Sequence, residues 1–180
     1  MPLPQERIYT TDDIYALPDG QRAELIDGHI YYMAPPSRKH QLISGELFTR
    51  IHNYIKSKGG SCEPYIAPFA VFLNKDDRNY VEPDISVICD SNKLNDKGCV
   101  GAPDWIIEIV SPGSRVMDYF TKLFKYRTAG VKEYWIIDPD KNRVTVYTFD
   151  EDNINEYSFT DAIPVGIYPG FSINLSKLDL

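Results

Sequence analysis

Trp105-Ile106-Ile107-Glu108-Ile109-Val110-Ser111-Pro112-Gly113-Ser114 is a run of five apolar residues with one carboxylate set inside it and a turn behind it. Such an Ile-rich run reads as a strand buried in the middle of a sheet, and Ser-Pro-Gly-Ser breaks it. Glu108 is out of place there. An unpaired buried carboxylate is costly, and it persists where a Lys or Arg, hydrogen-bond donors or a metal ion offset its charge. A second acid of this kind, Asp84, stands just ahead of another apolar strand in Val81-Glu82-Pro83-Asp84-Ile85-Ser86-Val87-Ile88. Downstream of Glu108, Lys122 falls in a segment with helical spacing. Two carboxylates and a lysine are groups that can hold Mg2+ and hydrolyse a phosphodiester.

Each of these residues also has a plainer reading. Alternation puts Asp84, Ser86 and Ile88 on one strand face and Ile85, Val87 and Cys89 on the other, but an Asp that begins a strand is often a turn or edge residue. Glu108 is equally suited to a structural ion pair with Arg or Lys. Asp118, Lys122 and Tyr126 share one helical stripe, where an exposed Asp118–Lys122 pair would contribute well under ~1 kcal/mol. Glu24, in Ala23-Glu24-Leu25-Ile26, is either a further acid of the site or a solvent-facing residue of a half-buried strand. His40, at the start of a helix, is a weaker candidate. The three histidines are not spaced for zinc.

Outward from this core, Thr11-Asp12-Asp13 starts a short helix that Leu17-Pro18-Asp19-Gly20 ends. Residues 22–26 and 29–33 read as strands joined by Asp27-Gly28, a type I′ hairpin signal. From His40 to Lys56, Ile43, Leu47, Ile51, Tyr54 and Ile55 recur at the spacing of an amphipathic helix, and Gly59-Gly60 stops it. Strands are expected over 66–73, 84–89 and 105–110. A helix over 115–129 follows, with Val116, Phe120, Leu123, Phe124 and Arg127 as its inner stripe and Gly130 just past its end. Strands follow over 133–137 and 143–149, with weaker ones near 154–159 and 171–175. That order predicts one α+β (α/β-like) domain over residues 1–180. Its core is a central mixed sheet flanked by helices, with an N-terminal β-hairpin and a β-rich C-terminal tail.

The chain has 180 residues, 43% of them hydrophobic and 13% aromatic, enough for a single ordered core. It has no apolar run long enough to span a bilayer and no signal-peptide start, so a cytoplasmic protein with no membrane partner is expected. Cys62, Cys89 and Cys99 leave an odd thiol and no C-x-x-C spacing, which argues against a disulfide framework or zinc knuckle, and Cys89 reads as a small buried hydrophobe. The net charge is −7, but it is uneven. Residues 38–58 carry Arg38, Lys39, Arg50, Lys56 and Lys58 against Glu46 alone, and residues 115–132 carry five basic side chains against Asp118 alone. Local field decides phosphate binding more than total charge does. Nucleophile elbows, Walker loops, dinucleotide fingerprints and EF-hand loops are absent from the sequence.

Taken together, several motifs resemble one family. They are Pro83-Asp84; Glu108 in Ile-Glu-Ile-Val-Ser-Pro-Gly-Ser; Asp118-x-x-x-Lys122-x-x-x-Tyr126; the run Ala129-Gly130-Val131-Lys132-Glu133-Tyr134-Trp135; and Asp138-Pro139. With Glu24-Leu25-Ile26-Asp27-Gly28 and Pro35-Pro36-Ser37 ahead of His40, this order is similar to the Uma-two-type restriction endonuclease family of the PD-(D/E)XK nuclease superfamily, over roughly residues 10–175. The resemblance implies a restriction-endonuclease-like core and Mg2+-dependent phosphodiester hydrolysis, with Mn2+ as a substitute. It implies Asp84 and Glu108 as metal ligands and nucleic acid, taken as DNA, as the partner; a homodimer stays open. The superfamily's lysine lies two residues after the second acid, where this chain has Val110. The resemblance implies an amine from the following helix instead, which points to Lys122 as the third catalytic residue. Glu24, His40, Asp118 and Tyr126 are the supporting candidates. The alternative is a catalytically inactive nuclease fold used for binding or scaffolding.

Overall fold

The computed structural model describes residues 7–178. In chain order they form α1 (Thr11–Tyr15), β1 (Ala23–Ile26), β2 (His29–Tyr32), α2 (Arg38–Ser57), β3 (Glu63–Ile66), β4 (Val71–Phe72), β5 (Ile85–Ile88), β6 (Leu94–Asn95), β7 (Gly98–Val100) and β8 (Trp105–Ile109). A π-helical segment (Met117–Lys122) then runs into α3 (Leu123–Ala129), followed by β9 (Glu133–Asp138), β10 (Arg143–Thr148), β11 (Asn153–Ser158), β12 (Ile163–Pro164) and β13 (Ser172–Ile173). Among these residues no helix is long and apolar enough to cross a membrane.

Six strands make one mixed sheet in the order β11-β10-β9-β8-β5-β3. β8 and β9 are parallel and the other neighbours antiparallel. A parallel pair needs a crossover, and the π-helical segment with α3 supplies it. α2 packs on one face of the sheet, where Ile43, Leu47, Ile51 and Ile55 meet Ile85, Val87, Ile107 and Ile109. Burying each of those α2 side chains contributes roughly 1.5–3 kcal/mol. α3 packs on the opposite face, where Tyr126 meets Ile106, Tyr134 and Ile136. Helix, sheet and helix therefore form three layers, the α+β arrangement with a mixed sheet that the element order predicts.

Local chemistry accounts for the elements around the sheet. Asp27 and Gly28 both have positive φ, 50° and 78°, as a type I′ turn between β1 and β2 requires. The Leu25 N–H donates to the Tyr80 carbonyl at 2.7 Å, and the reverse bond is 2.8 Å, which fastens the hairpin beside the core. Ser37 caps α2, its hydroxyl accepting from the His40 N–H at 3.2 Å. Gly130, at φ 96°, ends α3 in the left-handed conformation.

Three expectations are corrected. The strand expected over 66–73 is two strands, because Pro68, which has no N–H to give a ladder, falls in the break between β3 and β4. Most of the inner stripe expected for the 115–129 helix faces outward: Val116, Phe120 and Phe124 are 72, 70 and 64% exposed, while Leu123 packs against the core. The face against the sheet carries Asp118, Lys122 and Tyr126 instead. Finally, Cys62 and Cys89 form a disulfide. Glu63 pairs with Ile88 across β3 and β5, which brings the two cysteines opposite each other one step further along. Cys99 is free and buried.

Candidate active site

Ile107 and Ile109 belong to the α2 face of the sheet, so Glu108 between them projects toward the crossover helix. Ile85 pairs with Ile107, which sets Asp84 across from Glu108 one step beyond β5. Residues opposed in an antiparallel pair project to the same face. From the helix side, Lys122 Nζ donates to Glu108 Oε1 at 2.9 Å and to Glu24 Oε1 at 3.0 Å, and it lies 3.9 Å from Asp118 Oδ1. The Tyr126 hydroxyl donates to Glu108 Oε1 at 2.6 Å. Glu24 also accepts the Glu82 N–H at 2.9 Å. Asp84 Oδ2 accepts the Ile109 N–H at 2.7 Å and is 3.0 Å from His40 Nε2.

The π-helical segment explains how a charged stripe comes to face a sheet. Ser114, Asp118, Lys122 and Tyr126 are spaced four apart, and the wider turn holds that spacing closer to one line than an α-helix alone does. Their polar groups satisfy one another: the Ser114 hydroxyl donates to Asp118 Oδ2 at 2.6 Å, and the Tyr134 hydroxyl donates to the Asp118 carbonyl at 3.0 Å.

Three carboxylates, Glu24, Glu108 and Asp118, thus surround one ammonium, with Asp84 across from Glu108. Burial pushes the Glu108 carboxyl well above its usual range; Lys122 opposes the shift, while Asp84, Asp118 and Glu24 add to it. Burial likewise lifts Asp118 to about 6 against the pull of Lys122 and Ser114. Burial works against the Lys122 ammonium, but Glu108, Glu24 and Asp118 outweigh it and hold the proton on. Burial and the neighbouring Glu108 keep Tyr126 protonated, so it remains a donor.

A cleft of about 1020 Å³ opens onto this cluster and is lined by Glu24, His40, Asp84, Glu108, Asp118 and Lys122. Among the described residues, every hydrogen bond to the Glu108 carboxylate ends on Oε1 and every one to the Asp84 carboxylate ends on Oδ2. Glu108 Oε2 and Asp84 Oδ1 therefore stay outside those bonds. No three His, Cys, Asp or Glu side chains among the described residues converge as a complete metal cage. Two hard carboxylate oxygens beside a cleft, with excess negative charge around them, fit Mg2+, which takes one or two carboxylates and fills its shell with water and substrate phosphate.

All seven residues singled out in the sequence meet here: Asp84, Glu108, Lys122, Glu24, His40, Asp118 and Tyr126. Val110, at the position of the missing lysine, is a buried wall residue, 6% exposed. Sequence reasoning missed Ser114, although its place four before Asp118 marks it as part of the stripe. It also missed Glu82, which pairs with Arg22, accepts from the Tyr80 hydroxyl at 2.7 Å and lines the cleft; nothing but its nearness to Asp84 signals it.

Comparisons with known proteins agree with this architecture. A family model described as Uma2, putative restriction endonuclease, matches residues 11–176. A curated relative, the uncharacterized protein slr1290 of Synechocystis sp. (strain ATCC 27184 / PCC 6803 / Kazusa), is 26% identical over 133 residues, covering 73% of this chain and 68% of its own. The crystal structure of a putative nuclease belonging to DUF820 from Anabaena variabilis ATCC 29413 superposes with a TM-score of 0.72 at 25% identity. That superposition covers 88% of this chain and 89% of the other.

Proposed function

Since the chain belongs to the Uma2 family of putative restriction endonucleases, we propose that it is a metal-dependent endonuclease hydrolysing phosphodiester bonds in DNA. The observation that carries this reading is the Lys122 ammonium, 2.9 Å from Glu108, in a chain whose usual lysine position is Val110. A fold kept only for packing has little use for a buried lysine amid three acids, because well-packed apolar residues serve stability as well or better.

Asp84 and Glu108 would hold Mg2+, or Mn2+ in its place, through the two oxygens not already hydrogen-bonded. When bound, the ion would polarise the phosphoryl group and lower the pKa of a coordinated water. Lys122 keeps its proton and offsets charge that develops on the phosphoryl oxygens. Glu24 and Asp118 hold Lys122 in place, Tyr126 fixes the Glu108 rotamer, and His40 with the Ile109 N–H fixes Asp84.

A second reading, an inactive nuclease fold that binds or scaffolds, is favoured by one observation: Lys122 is engaged by Glu24 and Glu108 and only 5% exposed. Calorimetric titration with Mg2+ and Mn2+, followed by cleavage assays on supercoiled plasmid, linear duplex, single-stranded DNA and RNA, separates the two. Metal binding with DNA cleavage supports the enzyme; nucleic-acid binding with neither supports the module.

A further inference from the structure

The walls of the cleft differ from its floor. Two segments that line the cleft are Tyr31-Tyr32-Met33-Ala34-Pro35-Pro36, leading from β2 to the cap of α2, and Val110-Ser111-Pro112-Gly113-Ser114. Neither carries a charged side chain. Tyr31 pairs with Glu24 across the hairpin, so its ring rises from the same face as the carboxylate that holds Lys122. The rings of Tyr31 and Tyr32 are 38 and 64% exposed. Neither joins a ring pair or a cation–ring pair among the described residues, whereas Tyr54, Tyr65 and Tyr80 each contact another ring.

Charge in the cleft is wrong for a duplex. Six carboxylates line it, against Arg22, Lys39 and Lys122. Arg22 is ion-paired with Glu82, and Lys122 with Glu24 and Glu108. Duplex DNA carries one phosphate charge about every 1.7 Å of its axis, and proteins that grip it neutralise many of them with Lys and Arg. Here a single metal and Lys39 would face that density. A lone strand brings fewer phosphates and also exposes base faces, which stack on aromatic side chains whatever their sequence. The cleft encloses about 1020 Å³, and Glu108 inside it is 4% exposed.

We infer that the substrate is DNA unpaired at the scissile phosphate, with a base seated on Tyr31 while its phosphate reaches Asp84, Glu108 and Lys122. This inference rests on the nuclease reading above. It makes Tyr31 a determinant of strand preference and leaves the bond-breaking groups as described.

The test is kcat/KM of the full chain with Mg2+ on one labelled 20-residue oligonucleotide, supplied alone or annealed to its complement. The expected value is at least ten-fold higher on the single strand. Tyr31→Leu, which keeps an apolar side chain but removes the ring, should lower the single-strand value five-fold or more through KM, and Tyr31→Phe should restore it. A duplex cut as fast as the single strand overturns the inference and leaves the nuclease reading standing. A single-strand preference that Tyr31→Leu does not change overturns the seat on Tyr31. If neither form is cut and no Mg2+ is bound, the nuclease reading fails and this inference with it.

Discussion

Lys122 Nζ and Glu108 Oε1 are 2.9 Å apart, the one on the crossover helix and the other in the middle of the central sheet. Both are almost fully buried. Because Glu24, Asp84 and Asp118 stand nearby, Glu108 adds more negative charge than the single ammonium can offset. Glu108→Gln is therefore expected to abolish Mg2+ binding while leaving the fold intact, with metal-free stability unchanged or raised by about 1 kcal/mol. Thermal unfolding without metal checks this. A loss of more than about 3 kcal/mol, the cost of breaking a buried structural pair, would mark Glu108 as an architectural residue.

The same crowding makes the metal response depend on pH. Asp118 has its carboxyl raised from 3.8 to about 6, so the folded protein binds its proton more tightly than the unfolded chain does. That contribution is fully present below about 3.8 and is lost as pH rises through about 6. Glu108 shifts in the same direction. Metal binding competes with those protons, so saturating Mg2+ should raise Tm more at pH 7.5 than at pH 5. An equal rise at both, in matched scans, would argue that the ion is held by other groups.

Which helix face is buried can be tested without reference to function. Tyr126→Phe removes the 2.6 Å hydrogen bond to Glu108 from a buried site and should cost about 1.5–3 kcal/mol. Phe124→Ser, at a side chain 64% exposed, should change stability by less than about 0.5 kcal/mol. Urea unfolding of both variants gives the comparison. The reverse ranking would restore the apolar stripe to the interior.

The Cys62–Cys89 bond closes a loop with a sequence separation of 27, worth about 3.5 kcal/mol by chain entropy. Reduction should lower Tm by about 7–14 °C for a chain of this size, and Cys62→Ser should remove that sensitivity. A Tm that dithiothreitol leaves unchanged would mean that the bridge does not form in solution.

Some of this architecture can be read directly in the residues. Asp27-Gly28 declares its hairpin because few other pairs accept two positive φ angles, and Ile43, Leu47, Ile51 and Ile55 declare α2 because apolar spacing there coincides with burial. The crossover helix misleads for the opposite reason. Its apolar side, Val116, Phe120 and Phe124, faces solvent, and its charged side is interior because Lys122, Glu24, Glu108 and Asp118 satisfy one another. Periodicity shows that Asp118, Lys122 and Tyr126 share a stripe, but which stripe turns inward depends on Glu24, about a hundred residues away in sequence. The cysteine pair is hidden likewise: only the β3–β5 register brings Cys62 to Cys89.

The most direct test of the metal site is an anomalous difference map from crystals of the protein soaked in Mn2+. The account predicts a peak within coordination distance of both Asp84 Oδ1 and Glu108 Oε2, with Lys122 still paired to Glu108. Mn2+ bound elsewhere, or no peak at all beside a closed Asp84–His40 and Glu108–Lys122 network, would contradict the proposal that these two acids hold the catalytic ion.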